Sequence, residues 1–311
     1  MIDRNDTGNH SIERREVRRA FGRAAATYDA AAELQRRVRE ELLSRLDYVK
    51  LEPTAVLDLG AGTGHATLAL KRRYPASTVL AIDLAESMLR EARRRQSLFR
   101  RFQRVCADAG ALPLRTGTLD LVYSSLMLQW CDVPDGVFSE CRRVLRPGGL
   151  FSFTTFGPDT LVELRRAWAA ADHDGVHVSR FLDMHDVGDA LVRSGFAEPV
   201  MDVDRITLTY AEVRDLMRDL KAIGAHNAAS GRRRGLTGKA TYARVVDAYE
   251  RERRNGRLPA TYEVVYGHAW VPAAGGRRVD PPGEARIPVG SIGRRRAHSD
   301  DQPQPPGPVS F

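Results

Sequence analysis

The sequence has 311 residues, of which 42% are hydrophobic and 28% charged, so it can form one large globular domain or two small ones. It has no apolar run long enough to cross a bilayer, and its charged N-terminus lacks the apolar core of a signal peptide, so we expect a cytoplasmic protein. The net charge of +8 favours acidic partners, while three cysteines without CxxC spacing argue against a disulfide framework.

Helices open the chain. Residues 11–48 are predicted to form two helices, and Pro53 ends this helical region. The second helix carries an apolar residue at every fourth position, which predicts one buried stripe along it. The stripe consists of Leu34, Val38, Leu42 and Leu46.

From residue 55 to 156, strands and helices are predicted to alternate. Five near-continuous apolar runs are typical of buried parallel strands. They are AVLDLG (55–60), TVLAID (78–83), RVCAD (104–108), LDLVYSS (119–125) and LFSFTTF (150–156). Helical patterns separate them at 64–74, 85–99 and 135–145, and RPGG at 146–149 stops the last helix. The alternation predicts an open α/β sheet with right-handed crossovers.

The remainder of the chain has a different order of elements. Helices are predicted at 159–171 and from near His185, before a strand at 199–210. Two further helices, at 211–224 and 239–255, then precede a last strand at 261–271. From residue 273 to 311, Pro, Gly, Arg, Ser and Asp dominate without periodicity, which predicts a disordered tail.

A glycine-rich turn follows the first predicted strand. In LDLGAGTGHA (57–66), the alternate glycines from Gly60 to Gly64 allow a tight turn and close approach of a ligand. The turn has no lysine for a Walker phosphate loop, and His65 stands where a dinucleotide fingerprint needs its third glycine. The acidic Asp58 suits a cation instead, and the sulfonium and ammonium groups of S-adenosylmethionine are cations.

Two more carboxylates stand at strand ends. Asp83 ends the second predicted strand, where an acid can accept hydrogen bonds from ribose hydroxyls, and Asp108 ends the third, where it can meet an adenine amino group. The alternative is that both residues are helix caps in ordinary strand–helix turns.

Residues 50–156 resemble the class I S-adenosylmethionine-dependent methyltransferases, through LDLGAGTG, AIDLAESML and ADAGALPL in that order. The resemblance implies a Rossmann-like α/β fold, with a mostly parallel seven-stranded sheet, helices on both faces and a helical insertion before the last strand. It implies S-adenosylmethionine as the cofactor, bound at the carboxyl ends of the strands. The residues that we expect to bind it are Tyr28, Asp58, Gly60, Gly62, Gly64, Asp83, Leu84, Met88, Asp108, Ala109 and Ser125.

The N-terminal segment AFGRAAATYDAAAELQ (20–35) resembles a lid found in several of these families. In that interpretation Phe21 and Tyr28 close over the cofactor, and Arg23 reaches its carboxylate. The alternative is that the two rings only attach the first helix to the core. We therefore expect a helical lid at 1–50 and a methyltransferase domain at 51–272.

Five later segments resemble the malonyl-acyl carrier protein O-methyltransferases of biotin synthesis, and with the lid the resemblance spans about residues 18–272. They are TLVELRRAW, FLDMHDVGDAL, DRITLTY, LMRDLKAIGAHNA and GLTG. The resemblance implies methyl transfer to the free carboxylate of a malonyl thioester on acyl carrier protein. That carboxylate is already ionised at neutral pH, so no general base is needed. Because opposite charges disappear in the reaction, a dry site accelerates it.

A basic segment is the candidate surface for the carrier protein. Residues 205–257 contain 13 Lys and Arg against 6 Asp and Glu, a local charge of +7, and acyl carrier proteins are strongly acidic. We expect the helical excursion at about 211–257 to receive the carrier, through Arg232, Arg233 and Arg234. His226 or Asn227 would contact the thioester end. The alternative is an ordinary solvated basic face.

Arg205 is the candidate guide for the acceptor carboxylate, because a negative nucleophile entering a dry site needs a cation and this arginine belongs to a predicted strand. The alternative is a salt bridge to its neighbours Asp202 or Asp204.

Other functions are compatible with parts of the sequence. His173, His177 and His185 stand among aspartates, but the turn at Asp174-Gly175 separates two of them and Asp183 fits a helix cap, so we expect no metal. A methyltransferase for a quinone or a small free acid would share the cofactor domain without needing the basic excursion. A basic nucleic-acid-binding protein would show a binding motif, and none appears, so we expect neither a nucleic-acid nor a membrane partner. An inactive cofactor fold that serves as a scaffold is the remaining alternative.

Overall fold

The structure is a computed structural model that describes residues 12–97, 100–131, 134–172, 177–179, 181–225 and 237–273. All of these belong to the first of two units of the chain, Met1–Gly276. The second unit, Arg277–Phe311, lies outside the described residues, and so does nearly all of the predicted tail.

The strands of the described chain form one seven-stranded sheet. They are β1 (Ala55–Leu59), β2 (Thr78–Asp83), β3 (Gln103–Cys106), β4 (Leu119–Ser125), β5 (Leu145–Phe156), β6 (Ala197–Tyr210) and β7 (Leu258–Trp270). The spatial order is β3-β2-β1-β4-β5-β7-β6. The first five strands pair in parallel, whereas β7 runs antiparallel to both β5 and β6. The predicted mostly parallel sheet is confirmed.

Ten α-helices accompany these strands within the described ranges. They are α1 (Arg14–Ala24), α2 (Tyr28–Ala31), α3 (Glu33–Arg45), α4 (His65–Arg73), α5 (Glu86–Arg94), α6 (Pro134–Val144), α7 (Val162–Ala171), α8 (Met184–Arg193), α9 (Val213–Ala222) and α10 (Lys239–Glu250). The predicted helical insertion before the last strand is confirmed as α9 and α10. None of the described helices has the length and apolar character that a membrane span requires.

The core has two halves, one on each face of the sheet. Successive side chains of a strand point to opposite faces, so Val56 packs in one half and Leu57 in the other. The apolar stripe of α3 packs in the first half, together with residues of α4, α7, α9 and α10. Residues of α6 and α8 pack in the second half. The continuous apolar runs of the parallel strands follow from this burial on both faces.

The N-terminal helices are attached to two separate parts of the domain. Ser87 Oγ of α5 donates to the Gly22 carbonyl of α1 at 3.2 Å, and Thr27 Oγ1 donates to the Ala222 carbonyl of α9 at 3.0 Å. Gly224 has φ of +73°, and a Cβ there would lie 3.2 Å from Ala24 Cβ, so the end of α1 packs closely on this turn. The predicted lid therefore bridges the helix that follows β2 and the helical insertion.

Several element boundaries differ from the prediction, and the chain before β1 forms three α-helices, α1 to α3, where the sequence predicts two. α5 ends at Arg94 rather than near residue 99, and α10 ends at Glu250 rather than near 255. β5 begins at Leu145, because the RPGG segment continues as an irregular strand: Leu145 pairs with Leu119 before the register shifts. The predicted cap is present at α8, where Asp183 accepts a hydrogen bond from the His185 backbone N–H at 2.7 Å.

Candidate functional site

A cavity of about 210 Å³ lies where β1, β2 and β4 end and where the chain leaves β3. This strand-end cavity is walled by the glycine turn, by the ends of these strands and by the N-terminal helices. Nine of the eleven residues expected to bind the cofactor line it, namely Tyr28, Gly60, Gly62, Asp83, Leu84, Met88, Asp108, Ala109 and Ser125. Parallel strands point their carboxyl ends at one edge of the sheet, which brings together residues from distant parts of the sequence.

The glycine turn needs its glycines for different reasons. Gly60 has φ of +77°, and a Cβ there would overlap the side chain of Met127. Gly62 has φ of +51° with open space around its Cβ position, and its N–H donates to Asp83 Oδ2 at 2.8 Å. Gly64 does not line the cavity: a Cβ there would lie 2.7 Å from Ala92 Cβ of α5. Gly64 therefore allows the start of α4 to pack on α5 and does not form part of the cavity wall.

Asp83 presents a fixed carboxylate to the strand-end cavity. Its Oδ2 accepts the Gly62 N–H and its Oδ1 accepts the Ala85 N–H, each at 2.8 Å. Burial raises the pKa of this carboxyl, and the two backbone N–H groups oppose the shift. Each oxygen keeps a lone pair beyond its backbone bond, so the carboxylate can accept hydrogen bonds from two neighbouring hydroxyl groups.

Asp58 lies behind the turn rather than in the strand-end cavity. It is 2% exposed, and its Oδ2 accepts a hydrogen bond from Thr67 Oγ1 at 2.5 Å. Burial raises the pKa of this carboxyl to about 7. A cation nearby would favour the ionised form and lower that pKa again.

Asp108 is tied to the first helix. Its Oδ1 accepts the Gly110 N–H at 2.9 Å, and its Oδ2 accepts a hydrogen bond from Arg14 Nη1 at 2.5 Å. Arg14 lines the strand-end cavity but was not predicted, because α1 carries several arginines and nothing in the sequence distinguishes this one.

A second connection fastens α2 to the glycine turn. Asp29 accepts a hydrogen bond from Thr63 Oγ1 at 2.7 Å, forms a close ion pair with Arg95, and lies 3.2 Å from His65 Nε2. Burial, followed by the charge of Arg95, lowers the pKa of His65, so at neutral pH this histidine is mainly uncharged. The N-terminal helices are therefore attached at both ends of the strand-end cavity.

A second cavity, of about 100 Å³, adjoins the first. Four residues line both this side cavity and the strand-end cavity: Phe21, Tyr28, Leu126 and Trp130. The Phe21 ring meets the Trp130 ring edge-on with centroids 5.1 Å apart, and its centroid lies 6.4 Å from that of Tyr28. The two rings that the sequence predicts as a lid thus stand at the junction of the cavities.

The side cavity is mainly apolar, and no Lys or Arg is among its described lining residues. Its polar members are Tyr28, Gln35, Gln129, Thr160, His177, Ser179 and Tyr262. Thr160 Oγ1 donates to the Glu263 carbonyl at 3.0 Å, and His177 Nε2 lies 2.9 Å from Asp172 Oδ2 while its ring stacks on Trp168. These two residues are already engaged. Within the described ranges, no group of His, Cys, Asp and Glu residues that could hold a metal ion is found.

A third cavity lies on the other side of the glycine turn. This turn-side cavity is lined by Gly60, Gly62 and Ser125, which it shares with the strand-end cavity, and by Asp58 and several cationic side chains. The cations are Arg36, Arg39 and Arg95. Arg36 bonds Glu33 and Glu40, and Arg95 bonds Asp29.

Arg39 is the least neutralised arginine of the turn-side cavity. Its guanidinium has only a 3.8 Å contact with Glu40 among the ion pairs of the described residues, and its side chain is 18% exposed. Arg23, which the sequence suggested for a cofactor carboxylate, is exposed and lines none of the three cavities.

The structure does not bring Arg205 to these cavities. The residue lies on the edge strand β6 with its side chain 64% exposed, and its Nη2 donates to Asp159 Oδ2 at 2.7 Å. The expected role for Arg205 as a carboxylate guide is therefore not supported by its position. Its partner is also neither of the two aspartates weighed from the sequence. His226, Asn227, Arg232, Arg233 and Arg234 lie outside the described residues.

Comparison with known proteins gives the same picture of the central domain. A family described as a methyltransferase domain matches residues 57–153. The chain is 57% identical over 274 residues to the malonyl-acyl carrier protein O-methyltransferase of Laribacter hongkongensis, covering 86% of this chain and 92% of that protein. It is 56% identical over 269 residues to the protein of the same name from a Methylovorus species, covering 85% and 90%.

Solved structures share the fold at low identity. A methyltransferase from Bacillus halodurans superposes with a TM-score of 0.53 and 18% identity, covering 74% of this chain and 99% of that one. The YcgJ protein of Bacillus subtilis gives a TM-score of 0.52 at 15% identity, covering 76% and 100%. At these identities the likeness concerns the fold alone.

Proposed function

The chain belongs to the malonyl-acyl carrier protein O-methyltransferase family, and we propose that it transfers the methyl group of S-adenosylmethionine to the free carboxylate of a malonyl thioester on acyl carrier protein. The product is the malonyl methyl ester that primes pimeloyl synthesis for biotin. The observation that supports this most strongly is the junction of the two cavities. The strand-end cavity, with Asp83 and Asp108 in its wall, meets the side cavity, whose described lining has no Lys or Arg, across Phe21, Tyr28, Leu126 and Trp130.

The strand-end cavity fits the nucleoside half of S-adenosylmethionine. Asp83 offers two oxygens to a ribose diol, Leu84 and Met88 offer apolar surface to a purine, and Asp108 with Ala109 stands where the purine edge would lie. When bound, the cofactor supplies a methyl group on a positively charged sulfur.

The turn-side cavity fits the amino-acid half. We assign Asp58 to the ammonium group, since a buried carboxyl with a raised pKa gains most from a neighbouring cation. We assign Arg39 to the carboxylate, because it is the arginine of this cavity with the weakest internal ion pair. Gly60, Gly62 and Ser125 line both cavities, so the two halves of the cofactor can be continuous there.

The side cavity fits the acyl end of the acceptor. A malonyl carboxylate is its own nucleophile, so the residues around it need only bind it, align it and exclude water. The apolar walls from α3, α7 and α9 exclude water, and the sulfonium provides the opposite charge. Because both charges vanish in the product, low polarity around the transfer point favours the transition state over the separated ions.

The carrier protein would approach from the helical insertion. Ile223 and Ala225, at the end of α9, line the side cavity, and residues 226–236 follow directly in the chain. We propose that Arg232, Arg233 and Arg234 contact the acidic carrier, and that His226 or Asn227 lies near the thioester. The local charge of +7 over 205–257 supports this assignment.

Mass spectrometry of the carrier protein tests the function. Incubation of malonyl-acyl carrier protein with the enzyme and S-adenosylmethionine should add one methyl group to the carrier. Acetyl-acyl carrier protein, which has no free carboxylate, is the control and should stay unchanged. An equal gain on both carriers, or none on the malonyl carrier, would contradict the proposed reaction.

A further inference from the structure

Two glutamines that line the side cavity each have a buried amide oxygen without a hydrogen-bond partner among the described residues. The oxygens are Gln35 Oε1, on α3, and Gln129 Oε1, in the turn that follows β4. A buried amide that makes no hydrogen bond is destabilising, so native proteins rarely retain one without a further purpose. Both residues line the cavity that we assign to the acceptor, which suggests that the acceptor supplies partners for their amide groups.

Gln129 has a fixed orientation. Its Nε2 donates to the Leu126 carbonyl at 2.7 Å, and reversing the amide would place two oxygen atoms against each other. Its Oε1 therefore remains an acceptor that requires an N–H or O–H group from the ligand. Leu126 itself has φ of +51° and lines the junction of the cavities, so this hydrogen bond also supports a strained turn beside the transfer point.

Gln35 has a free orientation. No hydrogen bond within the described chain fixes its amide, so the amide can turn to offer either its oxygen or its two N–H donors to a ligand. Gln35 also lines the turn-side cavity together with Gly60, Gly62 and Ser125. Gln35 thus stands between the places that we assign to the acceptor and to the methionine half of the cofactor. Gln129 lines the side cavity but not the turn-side cavity.

The acceptor has matching groups at these two places. A malonyl unit has its carboxylate at the end that must approach the cofactor, and the pantetheine arm has an amide N–H a few bonds beyond the thioester sulfur. The carboxylate needs donors, and the arm offers a donor. Neutral donors suit the reacting carboxylate, because an arginine would compensate the charge that the sulfonium must attract.

We propose that Gln35 and Gln129 recognise the two ends of the acceptor. Gln35 donates an N–H to the malonyl carboxylate and turns it toward the methyl group. Gln129 accepts the first amide N–H of the pantetheine arm. This inference rests on the proposed function, and it explains how a carboxylate is held in a cavity whose described lining has no cation.

Two small substrates separate these roles. One is malonyl-S-N-acetylcysteamine, which keeps the amide of the arm, and the other is a malonyl thioester of an alkyl thiol of equal length without the amide. The variants are Gln35→Leu and Gln129→Leu. Gln103→Leu is the matched control, because Gln103 is exposed on β3 and lines none of the three cavities.

We expect the wild type to prefer the amide thioester by about tenfold in kcat/KM, the usual value of one hydrogen bond to a buried group. Gln129→Leu should abolish this preference, and because it also removes the hydrogen bond to the Leu126 carbonyl, the ratio of the two kcat/KM values is the readout and not either rate alone. Gln35→Leu should lower kcat/KM on both substrates by at least about tenfold and keep the preference. Affinity for S-adenosylmethionine, measured by calorimetry, should stay as in the wild type for Gln129→Leu and Gln103→Leu, and all three variants should keep the wild-type Tm, which shows that they fold.

Other outcomes would overturn the assignment. A preference for the amide that survives in Gln129→Leu, or methylation of malonyl-acyl carrier protein at the wild-type rate by Gln35→Leu, would contradict it directly. A lowered Tm in either variant would show that the glutamine supports the fold instead of recognising the acceptor. Failure of the wild type to methylate malonyl-acyl carrier protein would instead count against the proposed function itself.

Discussion

Arg14 and Asp108 lie 94 positions apart in the sequence, and Arg14 Nη1 donates to Asp108 Oδ2 at 2.5 Å. The pair connects the first turn of α1 to the chain that leaves β3, so the lid is fastened over the strand-end cavity at the side assigned to adenine. At the other side, Asp29 of α2 bonds Thr63 and Arg95 next to the glycine turn. The N-terminal helices are therefore attached both beside the strand-end cavity and beside the glycine turn.

The first prediction concerns this ion pair. Arg14→Met should accelerate dissociation of S-adenosylmethionine a few-fold, because a partly exposed ion pair contributes up to about 1 kcal/mol. Asp108→Asn should have the larger effect on affinity, since it also weakens the acceptor proposed for the adenine amino group. Stopped-flow displacement measures the rate at which S-adenosylmethionine dissociates from each variant. Tighter binding by Arg14→Met would mean that the arginine occupies the adenine site rather than closing it.

The second prediction concerns Asp83. Asp83→Ala should weaken S-adenosylmethionine binding at least about tenfold, because it removes charge-assisted hydrogen bonds worth roughly 1.5–3 kcal/mol each. Asp47→Ala is the control, since Asp47 is an exposed acid whose partner is Arg73, away from the cavities. Calorimetry should show unchanged affinity for the control. If Asp83→Ala bound S-adenosylmethionine with wild-type affinity, the role of Asp83 would be limited to its hydrogen bonds with backbone N–H groups.

The third prediction concerns pH. Burial raises the pKa of the free Asp58 carboxyl to about 7, and a bound ammonium group favours the ionised form. Protonation therefore opposes binding, so affinity for S-adenosylmethionine should fall as the pH decreases through 7, by about tenfold for each unit below it. Above this range the affinity should level off. Asp58→Asn should remove this part of the pH dependence, and calorimetric titrations in which the two proteins show the same pH profile would contradict the assignment.

The fourth prediction separates backbone strain from crowding in the glycine turn. Gly60 and Gly148 both have φ of +77°, but a Cβ overlaps Met127 at Gly60 and meets nothing within 4 Å at Gly148. Gly148→Ala should cost about 1–2 kcal/mol of unfolding free energy, the usual cost of a left-handed non-glycine residue. Gly60→Ala should cost more and should also impair cofactor binding. Equal losses in urea denaturation, with cofactor affinity retained, would show that the contact with Met127 is unimportant.

The fifth prediction concerns the carrier surface. Reversal of Arg232, Arg233 and Arg234 to Glu should raise KM for malonyl-acyl carrier protein steeply at low salt and barely affect malonyl-S-N-acetylcysteamine. Reversal of Arg90, Arg93 and Arg94, three arginines exposed on α5, makes the same change of charge away from the helical insertion and is the control. If both reversals raised KM for the carrier protein equally, the interaction would depend on net charge and not on the position of these arginines. Equal losses on both substrates would place the first three arginines in the active site.

Most of the residues that the sequence proposes for the cofactor line the strand-end cavity, because they follow strands whose apolar runs can be read directly. A strand end, a glycine turn and a helix start fix where Gly60, Gly62 and Asp83 must lie relative to one another. Gly64 belongs to the same motif but serves helix packing, since the space next to it is taken by Ala92. That distinction depends on α5, and no local pattern reveals it.

The side cavity, which we propose for the acceptor, is harder to predict, because it is formed by residues that are distant in the sequence. Arg205 looked like a carboxylate guide because it is a cation on a strand, but Asp159 neutralises it on the exposed edge of the sheet. Gln35 and Gln129 belong to no periodic pattern or motif in the sequence. They are distinguished only by amide oxygens that have no hydrogen-bond partner among the described residues. A polar residue in such a cavity is recognised from its missing hydrogen bond, which only the folded structure shows.

The measurement that most directly tests the central claim is the position of the transferred methyl group. S-adenosylmethionine with a carbon-13 methyl group, incubated with the enzyme and malonyl-acyl carrier protein, allows the labelled carbon to be located by nuclear magnetic resonance. The label should appear bonded to oxygen and correlated with the terminal malonyl carbonyl, as expected for a carboxylate aligned at the junction of the two cavities. A label on the malonyl α-carbon, or on a side chain of the carrier protein, would contradict the account.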